Sequence, residues 1–136
     1  MLMPNAWDVG SARLFATLGF EAVATTSGGF AITRGRLDGA MRRDEVLSHC
    51  GELVAAVDVA VSGDLEDCFA VDPEGVADTI GAAIAQGLAG GSVEDFTRDD
   101  TAPIYELAHA TERVRAAAEA AHKGSVPFVL TARAEN

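Results

Sequence analysis

The sequence predicts an α/β fold built on a parallel β-sheet. Short apolar runs alternate along the chain with longer segments of helical periodicity. Helix signals separate them, such as the Asp72-Pro73 opening and the stop residues Gly19 and Gly87. Strands that are joined by helical crossovers lie parallel in one sheet. Both an open doubly wound sheet and part of a (β/α)8 barrel satisfy this pattern.

The first third of the chain contains two predicted strands and one helix between them. Leu2–Ala6 is a short apolar strand, and Asp8 is placed to cap a helix over Val9–Leu18. Glu21–Thr26 is rich in residues that favour strands and runs into a glycine turn. A loop with scattered Arg and Gly is predicted over Ala31–Ala40.

The remaining elements continue the alternation to the end of the chain. Three further helices and three further strands give the order β-α-β-α-β-α-β-α-β, about four and a half βα units. The predicted helices are Arg42–Ala56, Pro73–Gln86 and an Ala-rich helix from Pro103 to Lys123, and the predicted strands are Val57–Val61, Leu88–Val93 and Pro127–Thr131.

Composition excludes several classes of protein. With 21 acidic and 10 basic residues the net charge is −11, which argues against a nucleic-acid partner and against anionic membranes. The sequence has no apolar span of membrane-crossing length and no secretory signal pattern. Two cysteines, Cys50 and Cys68, form neither a disulfide framework nor a zinc motif, so a reducing cytoplasm is the expected location.

Polar side chains collect where four of the predicted strands end. In parallel βα folds these carboxyl ends form the active site, so we expect the groups to surround one depression. The three histidines fall within predicted helices, away from these ends, and are expected at the surface. The strand-end residues are Ser27 and Gly28, then Asp64, Glu66 and Asp67, then Glu94 and Asp95, and finally Arg133 and Glu135.

Carboxylates that share a depression repel one another, and a bound cation relieves the repulsion. Oxygen ligands without His or Cys suit Mg²⁺ or Mn²⁺. Asp64 and Glu66 are two residues apart, which places them on one side of an extended segment. Either Glu94 or Asp95 is the third contributor, whereas for Asp67 and for Asp95 a cap or a contact with a loop amide is the favoured interpretation. Trp7, near a strand end, is either core or pocket wall.

Six stretches of the chain resemble the isocitrate lyase/phosphoenolpyruvate mutase superfamily, in the order in which that family carries them. They cover essentially the whole sequence. They are Pro4–Asp8, Ser11–Leu14, Thr25–Gly29, Asp64–Asp67, Ser92–Asp95 and Thr131–Glu135.

The resemblance implies a (β/α)8 barrel and an enzyme that uses Mg²⁺ to make or break C–C or P–C bonds beside a 2-oxo acid. It assigns Asp64, Glu66 and Glu94 to the metal shell, some through water, and Asp64, Glu94 and Arg133 to catalysis. The substrate, a small 2-oxo acid or phosphonate, is expected to contact a further set of residues. These are Trp7, Ser27, Gly28, Asp38 and Arg133.

The sequence also departs from this family. The lyases carry a Lys-Lys-Cys-Gly-His stretch in the loop after the fourth strand, and residues 96–102 here read Phe-Thr-Arg-Asp-Asp-Thr-Ala. This difference argues against isocitrate or methylisocitrate lyase activity. Cys68 stands where many members have glycine.

Length is the larger departure. A whole barrel has about 250 residues, so residues 1–136 are expected to form a single partial barrel domain, the N-terminal half. A fragment of a longer chain and a homo-oligomer are both consistent with this. The alternative to an enzyme is a truncated, non-catalytic barrel piece that acts in assembly or binding.

Overall fold

Four parallel strands form one sheet in the computed structural model, which describes residues 2–135. The strands lie in the order β1-β2-β3-β4, so each is hydrogen-bonded to its neighbour in sequence. A doubly wound sheet would reverse its strand order at a switch point, and this sheet does not. The fold is therefore α/β and part of a (β/α)8 barrel, as the resemblance implies. The strands are β1 (Ala22–Ala24), β2 (Ala60–Gly63), β3 (Gly90–Glu94) and β4 (Val129–Arg133).

Within residues 2–135, five helices connect or flank these strands. Asp8 caps the first, because its carboxylate accepts a hydrogen bond from the Ser11 amide at 2.7 Å. Asp72 caps the fourth in the same way, through the Gly75 amide at 2.8 Å, and Pro73 follows it. No helix within residues 2–135 is long and apolar enough to cross a membrane. The helices are α1 (Val9–Thr17), α2 (Ser27–Thr33), α3 (Arg43–Ala56), α4 (Pro73–Ala85) and α5 (Leu107–His122).

The two faces of the sheet have different environments. Val61 and Val93 point to the outer face, where they are buried in the core with helical side chains such as Leu53 and Ile80. The alternate residues lie on the inner face, which is lined by small or polar side chains. Residues of the inner face pair across the sheet as Ser92 with Thr131 and as Glu94 with Arg133. Strand alternation thus aligns polar groups on one face while it buries the other.

Several predicted element bounds were wrong. Leu2–Ala6 is not a strand, because its pairing with β1 is limited to an isolated bridge between Asn5 and Ala24. Helix α2 begins at Ser27 with Thr26 as its cap and was not predicted. The Ala-rich helix begins at Leu107 rather than Pro103, since the preceding loop forms its own bridge from Phe96 to Ile104.

His49 was predicted at the surface, and the structure buries it. It lies in α3 with 4% of its surface exposed and stacks on Phe30, with ring centroids 3.9 Å apart. Desolvation by burial lowers the pKa of the imidazole. The helical position was correct, but the packing of α2 against α3 could not be predicted once α2 itself was missed.

Gly90 tests the close pairing of β3 with β4. A Cβ atom on Gly90 would lie 2.7 Å from the carbonyl oxygen of Val129, so Gly90→Ala should lower the free energy of unfolding by about 1–3 kcal/mol. Gly81 in α4 has open space around its Cα, so Gly81→Ala should raise that free energy by about 0.5–1 kcal/mol. Urea denaturation measures both, and equal midpoints for the two variants would contradict the pairing.

Candidate functional site

A cavity of about 480 Å³ opens at the carboxyl ends of β1 to β4. Loops that follow the strands form its walls, so residues far apart in sequence meet there. Most strand-end residues of the sequence analysis lie in this wall. The lining residues are Asn5, Thr26, Ser27, Gly28, Asp38, Gly39, Asp64, Glu66, Glu94, Phe96, Arg133 and Glu135.

Asp64 follows β2 and links three strand ends. Its Oδ2 accepts a hydrogen bond from the Ser27 amide at 2.9 Å, at the first turn of α2. Its Oδ1 lies 3.4 Å from the Ser92 hydroxyl and 3.5 Å from Arg133 Nη1. The Asp64 amide donates in turn to the Thr25 hydroxyl at 2.8 Å. These contacts fix the carboxylate at the base of the cavity.

Glu66 lies in a strained turn between β2 and α4. Its φ is +52°, and Cys68 and Phe69 have φ values of +58° and +56°, in the left-handed region. Many members of the family that the sequence resembles have glycine at the position of Cys68, and glycine adopts this backbone conformation readily. The segment is therefore not extended, yet both Asp64 and Glu66 line the cavity. Glu66 is 8% exposed, and Arg98 Nη2 lies 2.9 Å from its Oε2.

Glu94 ends β3 directly opposite Arg133 of β4. Arg133 Nη1 lies 2.6 Å from Glu94 Oε1, and Arg133 Nη2 lies 2.8 Å from Glu135 Oε1. Arg133 is thus surrounded by three carboxylates, those of Asp64, Glu94 and Glu135. The planar guanidinium of Arg133, whose two terminal nitrogens form a fork of hydrogen-bond donors, lies in the cavity wall.

Both glutamates hold protons more tightly than free glutamate does. Desolvation by burial, together with the charges of Asp67, Asp64 and Asp38, raises the pKa of Glu66 to about 7, although Arg98 opposes the change. Desolvation also raises the pKa of Glu94 to about 7, with contributions from Asp64 and Glu135 and against the effect of Arg133. Two carboxyl groups that titrate near neutrality in one cavity are typical of a functional site.

The donor set fits a hard divalent cation. Every candidate ligand is a carboxylate, and Glu66 Oε1 is a buried acceptor with no hydrogen-bond partner in the described part of the chain. Within residues 2–135, no three Asp, Glu, His or Cys side chains are grouped so as to hold a metal ion directly. Mg²⁺, which takes oxygen ligands and usually keeps several of its own waters, matches the chemistry of these carboxylates.

Two expected substrate contacts, Ser27 and Gly28, lie at the start of α2, and a third, Asp38, lies beside them. Ser27 and Gly28 form the first turn of α2, and a Cβ on Gly28 would lie 3.2 Å from Asp38 Oδ2. Asp38 thus lies against the Gly28 backbone at the cavity wall, while the Ser27 amide is occupied by Asp64.

Trp7 lies outside this wall. It is 47% exposed and packs against Gly29, where an added Cβ would lie 2.6 Å from the indole.

Asp67 accepts a hydrogen bond from the Phe69 amide at 3.0 Å, and Asp95 accepts one from the Glu135 amide at 2.9 Å. Of the two candidates left open after β3, Glu94 therefore lines the cavity and Asp95 holds a loop.

Two arginines at the site were not predicted. Arg98, in the loop after β3, contacts Asp67 through Nε at 2.8 Å and through Nη2 at 2.7 Å, and it donates to the Gly39 carbonyl at 3.1 Å. Arg113, in α5, is 1% exposed. The sequence did contain a sign of this burial, because Arg113 lies at four-residue spacing from Ala117 and Ala121 on one face of the helix, and both alanines are buried.

The comparisons with known proteins identify the family. A model of the phosphoenolpyruvate phosphomutase family matches residues 1–136. This chain belongs to that family. A candidate lyase/mutase from Burkholderia cenocepacia J2315 is 48% identical, with a TM-score of 0.99, and the match covers 100% of this chain and 49% of that chain. A candidate phosphonomutase of the same organism is 35% identical, with a TM-score of 0.91 and coverages of 97% and 54%.

The chain spans about half the length of each of these two proteins. The fold is shared more widely, as in a phosphonopyruvate hydrolase in complex with oxalate and Mg²⁺. That structure is 19% identical, with a TM-score of 0.90, and the match covers 98% of this chain and 47% of that chain. The matched family is that of a phosphomutase, and the two similar Burkholderia structures are a candidate lyase/mutase and a candidate phosphonomutase, so the family is one of enzymes.

The raised pKa values predict how stability depends on pH without metal. Because the folded chain binds these protons more tightly than the unfolded chain, their stabilisation is full below about pH 4.5 and is lost as pH rises through about 7. The variant Glu66→Gln/Glu94→Gln should thus melt several degrees above the wild type at pH 8 and close to it at pH 5. Thermal denaturation with EDTA measures the difference, and a gap that does not depend on pH would contradict it.

Proposed function

We propose that this chain provides the metal- and substrate-binding half of a Mg²⁺-dependent enzyme acting on a C–C or P–C bond beside a 2-oxo acid. The barrel domain is completed by the remainder of a longer chain or by another copy. The observation that carries the proposal is the convergence of Asp64, Glu66, Glu94 and Arg133 on one cavity at the strand ends. Mn²⁺ is an acceptable substitute for Mg²⁺.

Asp64, Glu66 and Glu94 are the residues that would hold the ion. Glu66 and Glu94 retain protons near pH 7 in its absence, so they release those protons when a cation replaces them. Asp64 has one oxygen fixed by the Ser27 amide, which keeps its carboxylate facing the same cavity. When bound, Mg²⁺ supplies Lewis-acid stabilisation of the negative charge that develops on the 2-oxo group.

Arg133 is the proposed anchor for the substrate's carboxylate or phosphonate. Its fork matches the geometry of both groups. In the structure Glu94 and Glu135 occupy the fork, so Arg133 becomes available once another cation neutralises its acidic partners. The Ser27 hydroxyl and the Gly28 amide at the start of α2 supply further donors for a carboxylate. Asp38 completes the wall beside them.

The relatives support the class of reaction and not a substrate. A candidate lyase/mutase and a candidate phosphonomutase are similar over nearly the whole of this chain. Oxalate, which the phosphonopyruvate hydrolase binds with Mg²⁺, resembles the planar enolate of a 2-oxo acid and is a suitable probe. We place the protein inside the cell, where these small acids occur.

A Mg²⁺ titration tests the proposal directly. Because an ion that binds the folded chain alone stabilises it, Mg²⁺ at 100 times its Kd should add about 2.7 kcal/mol to the free energy of unfolding. Glu66→Ala should abolish this increase. Thermal denaturation and calorimetric titration with MgCl₂ measure the effect, and oxaloacetate with a protein-free blank tests for pyruvate release.

Glu112→Ala is the matched control for Glu66→Ala. Glu112 is an exposed acid on α5 whose contact is with Arg115, so its loss removes the same charge from a position outside the cavity wall. This variant should keep the full response to Mg²⁺. A wild-type chain that Mg²⁺ does not stabilise would overturn the metal assignment, and the non-catalytic alternative would then stand.

Arg133 is tested with oxalate in the presence of Mg²⁺. Arg133→Lys keeps the charge but loses the fork, so oxalate should bind at least about 10-fold more weakly, since a bidentate contact is worth about 1.5–3 kcal/mol. Arg115→Lys, on the exposed face of α5, should bind oxalate like the wild type. Calorimetric titration gives both affinities. Unchanged oxalate binding in Arg133→Lys would mean that Arg133 is not the anchor of the substrate's carboxylate.

A further inference from the structure

We propose that Arg113 is a positioning residue that sets the relative placement of Glu66 and Glu94. The inference rests on the proposed function, since it assigns a role toward the same acidic site. Arg113 lies in α5, beneath the cavity rather than in its wall, and is 1% exposed. It is the largest fully buried side chain in the described part of the protein.

The Arg113 guanidinium joins the two acid-bearing strand ends from below. Its Nη1 donates to the Glu94 carbonyl at 2.7 Å. Its Nη2 donates to the carbonyls of Asp67 and Ala70, the latter at 2.9 Å. Each of these carbonyls belongs to the end of β3 or to the turn after β2. One rigid planar group thereby connects the backbone that carries Glu94 with the backbone that carries Glu66.

The turn after β2 needs such a connection because its backbone is strained. Left-handed conformations at Glu66, Cys68 and Phe69 each cost on the order of 1 kcal/mol or more, and they persist only where surrounding contacts fix them. Arg113 binds this turn from the core side. The Thr79 hydroxyl adds a second contact from α4 by donating to the Cys68 carbonyl at 2.8 Å.

A structural ion pair does not explain Arg113. No carboxylate contacts its guanidinium within residues 2–135, and its Nε is buried without a hydrogen-bond partner. The Tyr105 ring lies under the charge, with the guanidinium carbon 4.3 Å from the ring centroid. A buried charge that is held by backbone carbonyls and one aromatic ring costs desolvation energy that packing alone does not require. What it supplies is a fixed geometry between two strand ends.

Arg113→Lys tests the role, because lysine keeps the charge but cannot bridge the same three carbonyls. In the 136-residue chain this variant should bind Mg²⁺ about 10-fold more weakly by calorimetric titration, as expected when the support of a metal ligand is lost. Arg115→Lys makes the same change on the exposed face of α5 and should leave the affinity unchanged. Leu53→Ala, in the core at α3, should lower the melting temperature without changing the affinity.

Wild-type affinity in Arg113→Lys, or an equal loss in Leu53→Ala, would reduce Arg113 to a structural residue. If Arg113→Lys does not fold, Tyr105→Leu removes the ring under the guanidinium and should weaken Mg²⁺ binding in the same direction. If the wild type fails to bind Mg²⁺, the proposed function fails separately. The positioning role is then tested in the metal-free chain by the NMR chemical shifts of the Glu66, Asp67 and Glu94 backbone amides. These shifts should change in Arg113→Lys but not in Arg115→Lys.

Discussion

Two carboxylates, those of Glu66 and Glu94, pair with arginines of the next βα unit, and these pairs hold the strand ends together. Glu66 is paired with Arg98, 32 residues further along the chain, and Glu94 is paired with Arg133 of the next strand. Since each pair joins two different strand ends, charge balance and loop arrangement depend on the same contacts. Loss of either arginine would leave a largely buried carboxylate without its partner, which is more destabilising than loss of an exposed pair. The arginines do not fully offset the burial of the two carboxylates, and for this reason the pKa values of both glutamates are raised.

Strand alternation brings these groups into register. Val61 and Val93 pack under the helices. The adjacent strand residues, Ser62 in β2 and Ser92 in β3, point to the opposite, inner face of the sheet. Glu94 is two residues beyond Ser92 and therefore shares its face, directly opposite Arg133. The pattern that secures the core thus also brings the polar ends to one edge of the sheet. A shift of β4 by one residue would point Arg133 away from the cavity.

The sequence predicted the fold class and the location of the polar strand ends, because both depend on local periodicity and on one rule of parallel folds. It did not predict strand bounds well, since Ala, Gly and Ser dominate β1 to β3 and pairing rather than propensity defines where such strands begin. Helix α2 was missed because two glycines in its first turn resemble a loop. Arg113 was missed because its partners are backbone carbonyls far along the chain, and no residue type marks a carbonyl as a partner.

The loop after β3 bears on the class of reaction in the proposed function. In the lyases that the sequence resembles, this loop carries a cysteine as acid/base. Here the loop carries Arg98 instead, which pairs with the carboxylates of Glu66 and Asp67. A guanidinium does not release its proton at neutral pH. Hydrogen bonds from the Thr101 side chain and backbone lower the pKa of Asp99, so that carboxylate also stays ionised. A proton near pH 7 is instead available at Glu66 or Glu94, and a carboxylate that holds a cation cannot donate one. The proposed site therefore favours reactions in which bond cleavage needs no proton from this loop, or takes it from water.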